Sequence, residues 1–296
     1  MPVSDDAFLG GRLRILQPTK GYRAGLDAVM LAAAVSDRGG RPFRVLDAGA
    51  GVGTAGLCVA WRCPSASVVL IEREHNLAEL ARENVARNGL ADRVSVAEAD
   101  VANVSGVELS GLGLGEGGFD KVIANPPYHA EGAGTAAPHA LKAAAHAMPE
   151  AGLAQWCRFL ARMARPGGEA LIVHKAEALP ELLDALAGRF GGVSVLPLHA
   201  FAGEPAGRVL VRGVKGSRAP FRIEAGLVLH EAERRFTPGA DRVLRLGQSL
   251  AVAYGLPSPF WGGVGDGGTP DDGRLSGAPP SLALPHTGGG KQSERM

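Results

Sequence analysis

The segment Val45-Leu46-Asp47-Ala48-Gly49-Ala50-Gly51-Val52-Gly53 decides the fold. A short apolar run ends in a carboxylate and passes into three alternate glycines, after which the pattern turns helical. Bare backbone between a strand and a helix lets a ligand approach the main chain closely. A ligand loop is therefore expected here. The overlapping Gly51-Val52-Gly53-Thr54-Ala55-Gly56 also fits the G-x-G-x-x-G fingerprint of dinucleotide sites. Its glycines begin four residues beyond Asp47, late for a turn leaving the strand, so a nucleoside ligand without a pyrophosphate is preferred to NAD.

On either side of that loop, short β-branched runs alternate with longer helical stretches, the signature of βαβ units and a parallel sheet. Strands are expected at Arg44–Ala48, Ser67–Glu72, Arg93–Glu98, Phe119–Ala124, Glu169–His174 and Val193–Leu198. Covering helices are expected at Ala78–Ala86 and Leu153–Ala164, the latter stopping before Arg165-Pro166-Gly167. Beyond Leu198, Arg208–Arg212 and Phe221–Glu224 alternate with no long helix between them, so antiparallel pairing at one sheet edge is expected. The fold class is α/β, a mostly parallel sheet with helices on both faces. The Gly-rich run from Gly106 to Gly118 reads as a mobile loop, and Trp156 with Phe159 as core.

The 296 residues, 46% hydrophobic and 21% charged, can bury a large core. A net charge of +1 excludes a strongly basic nucleic-acid coat and an acidic tail protein, yet leaves room for a local basic face. Arg12, Arg14, Lys20 and Arg23 lie together with no acid between Phe8 and Leu26, and residues 208–245 hold nine Lys or Arg. Such clusters suit phosphates, as they also suit a solvated face. Cys58, Cys63 and Cys157 lack paired ligand spacing, and His129, His139 and His146 form no obvious pair, so neither disulfides nor a metal site is expected. Asp5 and Asp6 open the chain where a signal peptide would be basic, and no apolar run approaches the ~18 residues of a membrane span. A soluble cytoplasmic protein without a membrane partner is expected, and it is read as a monomer. Residues 257–296 hold ten Gly and six Pro among forty and read as a disordered tail, with Phe260 and Trp261 as the residues able to dock.

Three expected strand ends carry acids. Glu72 can accept from both ribose hydroxyls, Asp100 from an exocyclic amine such as adenine N6, and with Asp47 they would line one crevice. After the fourth strand comes Asn125-Pro126-Pro127-Tyr128. Two prolines stiffen this loop and remove two donors while their carbonyls stay free to accept. An exocyclic NH2 donating to the Asn125 side-chain oxygen and to the Pro126 carbonyl has its lone pair turned toward an electrophile. Tyr128 would stack on the plane that carries the amine.

Together, Asp47 to Gly53, Glu72, Asp100 and Asn125 to Tyr128 resemble the class I S-adenosylmethionine-dependent methyltransferases, in the branch that methylates exocyclic or amide nitrogens. Gln17-Pro18-Thr19-Lys20-Gly21-Tyr22-Arg23-Ala24-Gly25-Leu26-Asp27-Ala28-Val29-Met30-Leu31, Glu204 to Arg212 and Lys215 to Pro220 are similar to segments of the bacterial tRNA adenine-N6 methyltransferases that act on an anticodon-loop adenine of a valine tRNA. The resemblance covers about residues 8 to 250. It implies a Rossmann-like, seven-stranded sheet with an antiparallel edge, in which residues 1–42 cover the cofactor site and residues 43–256 form the methyltransferase domain. Gly49, Gly51, Gly53, Asp47, Glu72 and Asp100 would hold S-adenosylmethionine, with Gly25 and Asp27 closing the crevice. Asn125, Pro126 and Tyr128 would be catalytic, and Pro127, Tyr128, Arg12, Arg14 and Lys20 would meet the tRNA. His129 departs from the family, which often carries a second aromatic residue there. Three rivals share parts of this pattern: glutamine N5-methyltransferases of peptide release factors, rRNA guanine-N2 methyltransferases, and an RNA-binding protein that keeps the fold without catalysis.

Overall fold

The structure, a computed structural model, describes residues 1–256 except 22, 131–146 and 149–151. The expected tail, with Phe260 and Trp261, lies outside the described residues. The chain opens with a hairpin of β1 (Val3–Phe8) and β2 (Leu13–Pro18), followed by helix α1 (Leu26–Ala34). Three strand–helix pairs come next: β3 (Phe43–Ala48) with α2 (Thr54–Arg62), β4 (Ala66–Glu72) with α3 (His75–Arg87), and β5 (Val94–Glu98) with α4 (Gly106–Gly111). After β6 (Phe119–Ala124), the short β7 (His129–Ala130) and β8 (Ala147–Met148) pair with each other. Then follow α5 (Gly152–Met163), β9 (Ala164–Lys175), α6 (Leu179–Leu186), β10 (Phe190–His199) and β11 (Ala206–Lys215). The described chain ends with β12 (Arg222–Ile223), β13 (Leu227–Val228), α7 (Pro238–Leu246) and α8 (Leu250–Tyr254).

Among the described residues nine strands share one sheet, in the order β12-β10-β11-β9-β6-β3-β4-β5, with β13 also beside β10. Seven are long, as expected; β12 and β13 add two residues each at the edge. The antiparallel strand is β11, but it lies inside the sheet, between β9 and β10. Phe221–Glu224 was expected to pair antiparallel, and instead its β12 runs parallel to β10. The reason is geometric: a chain that leaves β11 and crosses to the far side of β10 reverses once more and so runs with β10. Successive residues of the central strands face opposite sides. Val45, Ile123 and Leu171 join one apolar cluster, and Leu46, Val122 and Ile172 the other. Helices α1–α3, α7 and α8 cover the first face and α4–α6 the second, which is why these strands read as nearly continuous apolar runs.

One further reading needs correction. The Gly-rich run from Gly106 begins as a helix, because Ser105 and Glu108 form a capping box: the Ser105 hydroxyl accepts from Glu108 N at 3.2 Å and the Glu108 carboxylate from Ser105 N at 2.8 Å. The N-terminal segment is a β-hairpin and a helix. No helix among the described residues is long and apolar enough to cross a membrane.

Lys121 on β6, Glu169 on β9 and Arg212 on β11 form a buried ion cluster across three adjacent strands. Lys121 Nζ donates to Glu169 Oε2 at 2.9 Å and to the Ser36 hydroxyl at 2.9 Å, and Arg212 donates to Glu169 Oε1 at 2.9 Å. Burial opposes the Glu169 charge, yet Lys121 and Arg212 hold its carboxyl down at about 2. A depressed carboxyl stabilises the fold above its ordinary pKa, and that contribution is lost as the pH falls from about 4.5 to about 2. Glu169→Gln should therefore lower the unfolding free energy at pH 7 by ~3 kcal/mol, since two buried cations lose their counter-ion. Denaturant melts of both proteins between pH 2 and 7 check this: the difference between them should shrink toward pH 2.

Candidate functional site

Strand order reverses at β3, with β4 and β5 on one side and β6 and β9 on the other, which opens a crevice at the carboxyl ends of β3 and β6. The glycine loop leaves β3 there, and Asn125 to Tyr128 leaves β6. Gly49, Gly51 and Gly53 have φ of 65°, 57° and 88°, the left-handed region that glycine adopts without strain. At Gly49 a Cβ would also stand 2.4 Å from Cη2 of Trp156, so the α5 indole walls the loop. Trp156 is buried, as expected, but against the loop itself.

Buried acceptors hold the loop elsewhere. Asp47 Oδ2 accepts from Gly56 N and Glu72 Oε2 from Gly51 N, each at 2.8 Å; Glu72 Oε1 accepts from Glu74 N at 2.9 Å. Burial pushes Asp47 up to about 7 despite the Gly56 N–H, with the nearby Glu72 charge adding to it. Burial also raises Glu72, against the N–H groups of Glu74 and Gly51. With the Arg73 N–H bonded to it as well, the Glu72 carboxylate keeps about one of its roughly four acceptor positions. The last glycine of the dinucleotide-like fingerprint, Gly56, lies within α2, where a Cβ would meet Leu70 Cδ2 at 2.3 Å. That glycine serves helix–strand packing. At the end of β5, Asp100 accepts from Ala102 N and from Asn103 Nδ2, both at 2.9 Å, so its carboxylate organises its own turn.

Asn84, fully buried on α3, ties this loop to the N-terminal hairpin. Its Oδ1 accepts from Leu16 N at 2.7 Å, and its Nδ2 donates to Leu16 O at 3.0 Å and Val52 O at 3.1 Å. One helical turn later, Asn88 exchanges the same pair of bonds with Arg14, both at 2.9 Å. Amides at i and i+4 thus pair with alternate residues of β2 as a neighbouring strand would.

On the other side of the crevice, the Tyr128 hydroxyl lies 2.7 Å from both Asn125 Oδ1 and Asp27 Oδ2. One hydroxyl hydrogen serves these two acceptors in turn. Asp27, in the first turn of α1, also accepts from Arg208 Nε at 3.0 Å, and the Arg208 guanidinium sits 4.9 Å from the Tyr128 ring centroid. The His174 ring meets Tyr128 edge-on at 5.2 Å and 86°. His174 is buried, and burial lowers its pKa, which keeps the ring neutral at pH 7. Tyr128 is therefore oriented by Asp27, Arg208 and His174, and one of its faces is covered by Arg208. Pro126 is buried, while Asn125 and Pro127 are half-buried.

Gly25 is the exposed N-cap of α1, two residues before Asp27. The basic residues expected at the tRNA fare differently from one another. Arg12 donates to the carbonyls of Leu9 at 3.0 Å and Arg245 at 2.7 Å; Arg14 pairs with Asp5 at 3.2 Å; Lys20 is exposed. Residues that sequence reading did not assign to the site are Asn84, His174 and, as the partner of Asp27 and Tyr128, Arg208. The Asn84/Asn88 spacing on one helix face is a local signal, whereas the contact of Arg208 with Asp27 spans 181 positions and leaves none. His139, His146 and the side chain of His129 lie outside the described residues. Among the described residues no group of three His, Cys, Asp or Glu is arranged to hold a metal ion.

A family model described as methyltransferase small domain matches residues 27–157. A tRNA1(Val) (adenine(37)-N6)-methyltransferase of Porphyromonas gingivalis is 36% identical over 42% of this chain and 48% of its own length. The protein of the same description from Aeromonas hydrophila is 28% identical over 76% of this chain and 88% of its own. The chain spans about half the length of the first curated relatives it matches. Among solved structures, that of a predicted O-methyltransferase from Agrobacterium tumefaciens matches with a TM-score of 0.63 at 32% identity, over 75% of this chain and 97% of that one.

Replacing Asn84 with Ala should cost ~3 kcal/mol, because Leu16 N–H, Leu16 C=O and Val52 C=O each lose a buried partner at ~1 kcal/mol or more. Urea melts check this, and an unchanged midpoint would mean that the hairpin is held by other contacts.

Proposed function

This chain belongs to the S-adenosylmethionine-dependent methyltransferases with a small methyltransferase domain, and we propose that it methylates the exocyclic N6 of an adenine in tRNA, in the cytoplasm. The observation that carries the reading is Asn125-Pro126-Pro127-Tyr128 at the carboxyl end of β6, beside the glycine loop of β3. The relatives described as tRNA adenine-N6 methyltransferases support it.

The cofactor suits the residues on its side of the crevice. Gly49 to Gly53 present bare backbone, and Glu72 keeps acceptor capacity for a ribose hydroxyl beside the bonds it makes to Gly51, Arg73 and Glu74. Asp100 would accept from the adenine amine beside its bonds to Ala102 and Asn103, and Asp47 acts indirectly by fixing the start of α2 through Gly56. S-adenosylmethionine, when bound, supplies a methyl group activated by a positively charged sulfur.

The chain's own residues hold the acceptor. Asn125 Oδ1 has two lone pairs, so it accepts one hydrogen of the target amine beside the Tyr128 hydroxyl, and the Pro126 carbonyl accepts the other. These two bonds would hold the amine so that its nitrogen lone pair leaves conjugation and becomes a better nucleophile. The surplus proton leaves to water after transfer, so no general base is needed. This favours nitrogen over oxygen as the acceptor, because a hydroxyl nucleophile must give up its proton to a base, and Asn125, Pro126 and Pro127 offer none. Positioning supplies most of the rate. The base stacks on Tyr128, whose ring Asp27, Arg208 and His174 fix in place. Gly25 and Asp27 close the crevice from the start of α1, and exposed Lys20 is the basic residue of the N-terminal hairpin best placed for phosphates.

Nucleoside mass spectrometry of tRNA incubated with the protein and S-adenosylmethionine should show N6-methyladenosine. Methyl transfer to a release-factor glutamine, with none to tRNA, would replace this reading. In calorimetry the protein should bind S-adenosylmethionine and not NAD. Asn125→Ala should lower turnover by about a hundredfold or more while cofactor affinity stays within a few-fold, since it removes an acceptor used in the transition state. Equal losses in both would make Asn125 a structural residue.

A further inference from the structure

A second aromatic feature lies on the same edge of the sheet as Tyr128. Because β10 runs parallel to β9, its carboxyl end at His199 points the same way as the ends of β6 and β9. Phe201 follows that end, and the chain returns at Leu229 and His230, whose N–H groups donate to His199 O and Ala200 O at 2.9 Å each. His230 and Phe236 pair across a tight loop, with centroids 4.9 Å apart and planes at 29°. Phe201 also meets the His230 ring, tilted, at 5.4 Å and 35°. His230 is thus the middle ring of a three-ring column of contacts. Both phenyl rings are half-buried, but Phe236 packs on the apolar core whereas Phe201 belongs to neither core cluster.

The loop that carries His230 and Phe236 is built against local preference. Glu231 N donates to Arg235 O at 2.8 Å, and closing the turn puts Glu233 and Arg234 at φ of 68° and 60°, where neither residue is at ease. Arg234 and Arg235 are exposed at its tip beside Glu231 and Glu233, with Arg235 paired to Glu233 at 3.5 Å. A hairpin tip needs no such strain to close over solvent. The column lies on the reaction-site side of the sheet: Leu198 pairs with Arg208, whose guanidinium covers Tyr128, and Phe201 follows two residues after β10 ends at His199.

We propose that the Phe201–His230–Phe236 column receives one unpaired base of the RNA as its fourth ring, next to the nucleotide held at Asn125 and Tyr128. The proposal rests on the tRNA reading above. Its chemistry is that of a single-stranded nucleotide: a planar base stacks on Phe201, and the adjoining phosphate meets Arg234 or Arg235. The stack tolerates any base, so it sets the path of the loop and not the identity of the target.

The test is binding of a fluorescent tRNA anticodon stem-loop, with 2-aminopurine at positions flanking the target adenine, to the full chain and to Phe201→Ala and Phe201→Trp. Wild type should quench one flanking position. Phe201→Ala should lose that quenching and bind about tenfold more weakly, the loss of one base–aromatic stack, while thermal midpoint and S-adenosylmethionine affinity hold. Phe201→Trp should restore both. Equal quenching and affinity in Phe201→Ala would overturn the proposal, as would a fall in affinity matched by a fall in thermal midpoint and left unrescued by Trp. If wild type methylates no tRNA, the functional reading fails on its own; stem-loop binding that still depends on Phe201 then supports the column, and binding indifferent to it sinks it.

Discussion

One buried side-chain amide joins the pieces that make the crevice. Asn84 reaches the β2 backbone with two of its bonds and the glycine loop with the third, and it has no exposed surface through which water could substitute. Its effect is to set the N-terminal hairpin and the ligand loop against the same helix. Asp47 and Glu72 then fix the loop from beneath by accepting from Gly56 and Gly51. The loop therefore has its shape before any ligand arrives, and most of the entropy of ordering its backbone is already met in folding.

What could be read from the chain was what local pattern encodes. β3, β4 and β6 lie within a residue of their expected bounds because both faces are buried and the apolar runs are unbroken. The carboxylates and the Asn-Pro-Pro-Tyr loop were visible because they sit at strand ends. The hairpin was not, since β1 reads Val-Ser-Asp-Asp-Ala-Phe, with half-buried and exposed residues alternating and no apolar face to detect. Its partners are Asn84, Asn88 and Arg87, some seventy to eighty positions away. The same distance hid Arg208 from Asp27. The Ser105–Glu108 box, by contrast, was legible and was masked by the glycines around it.

Charge shows the gap between composition and placement most clearly. Of the basic residues that resemble a phosphate track, Arg12 binds two backbone carbonyls, Arg208 binds Asp27, Arg212 is buried on Glu169, and Lys215 donates to Ala161 O and Ala164 O at 2.6 and 2.7 Å. Arg218, Arg234, Arg235 and Arg242 remain exposed. A run of cations in sequence is thus divided between holding the sheet together and facing solvent. With a net charge of +1, association with an anionic partner depends on how the exposed group is distributed, not on the total.

The position of β11 has a consequence for how the chain is made. A ribosome that has released residues only as far as His199 has delivered β9 and β10 in order, yet in the finished sheet they are not neighbours. β10 has no partner until 206–215 emerges and slides between them, and until then β9 shows an open edge. Arg212 arrives with that strand, so Glu169 waits on Lys121 alone during the interval. The nascent protein therefore passes the interval between His199 and Lys215 as an unsealed sheet, the stage at which a chaperone or an unwanted second strand would find it.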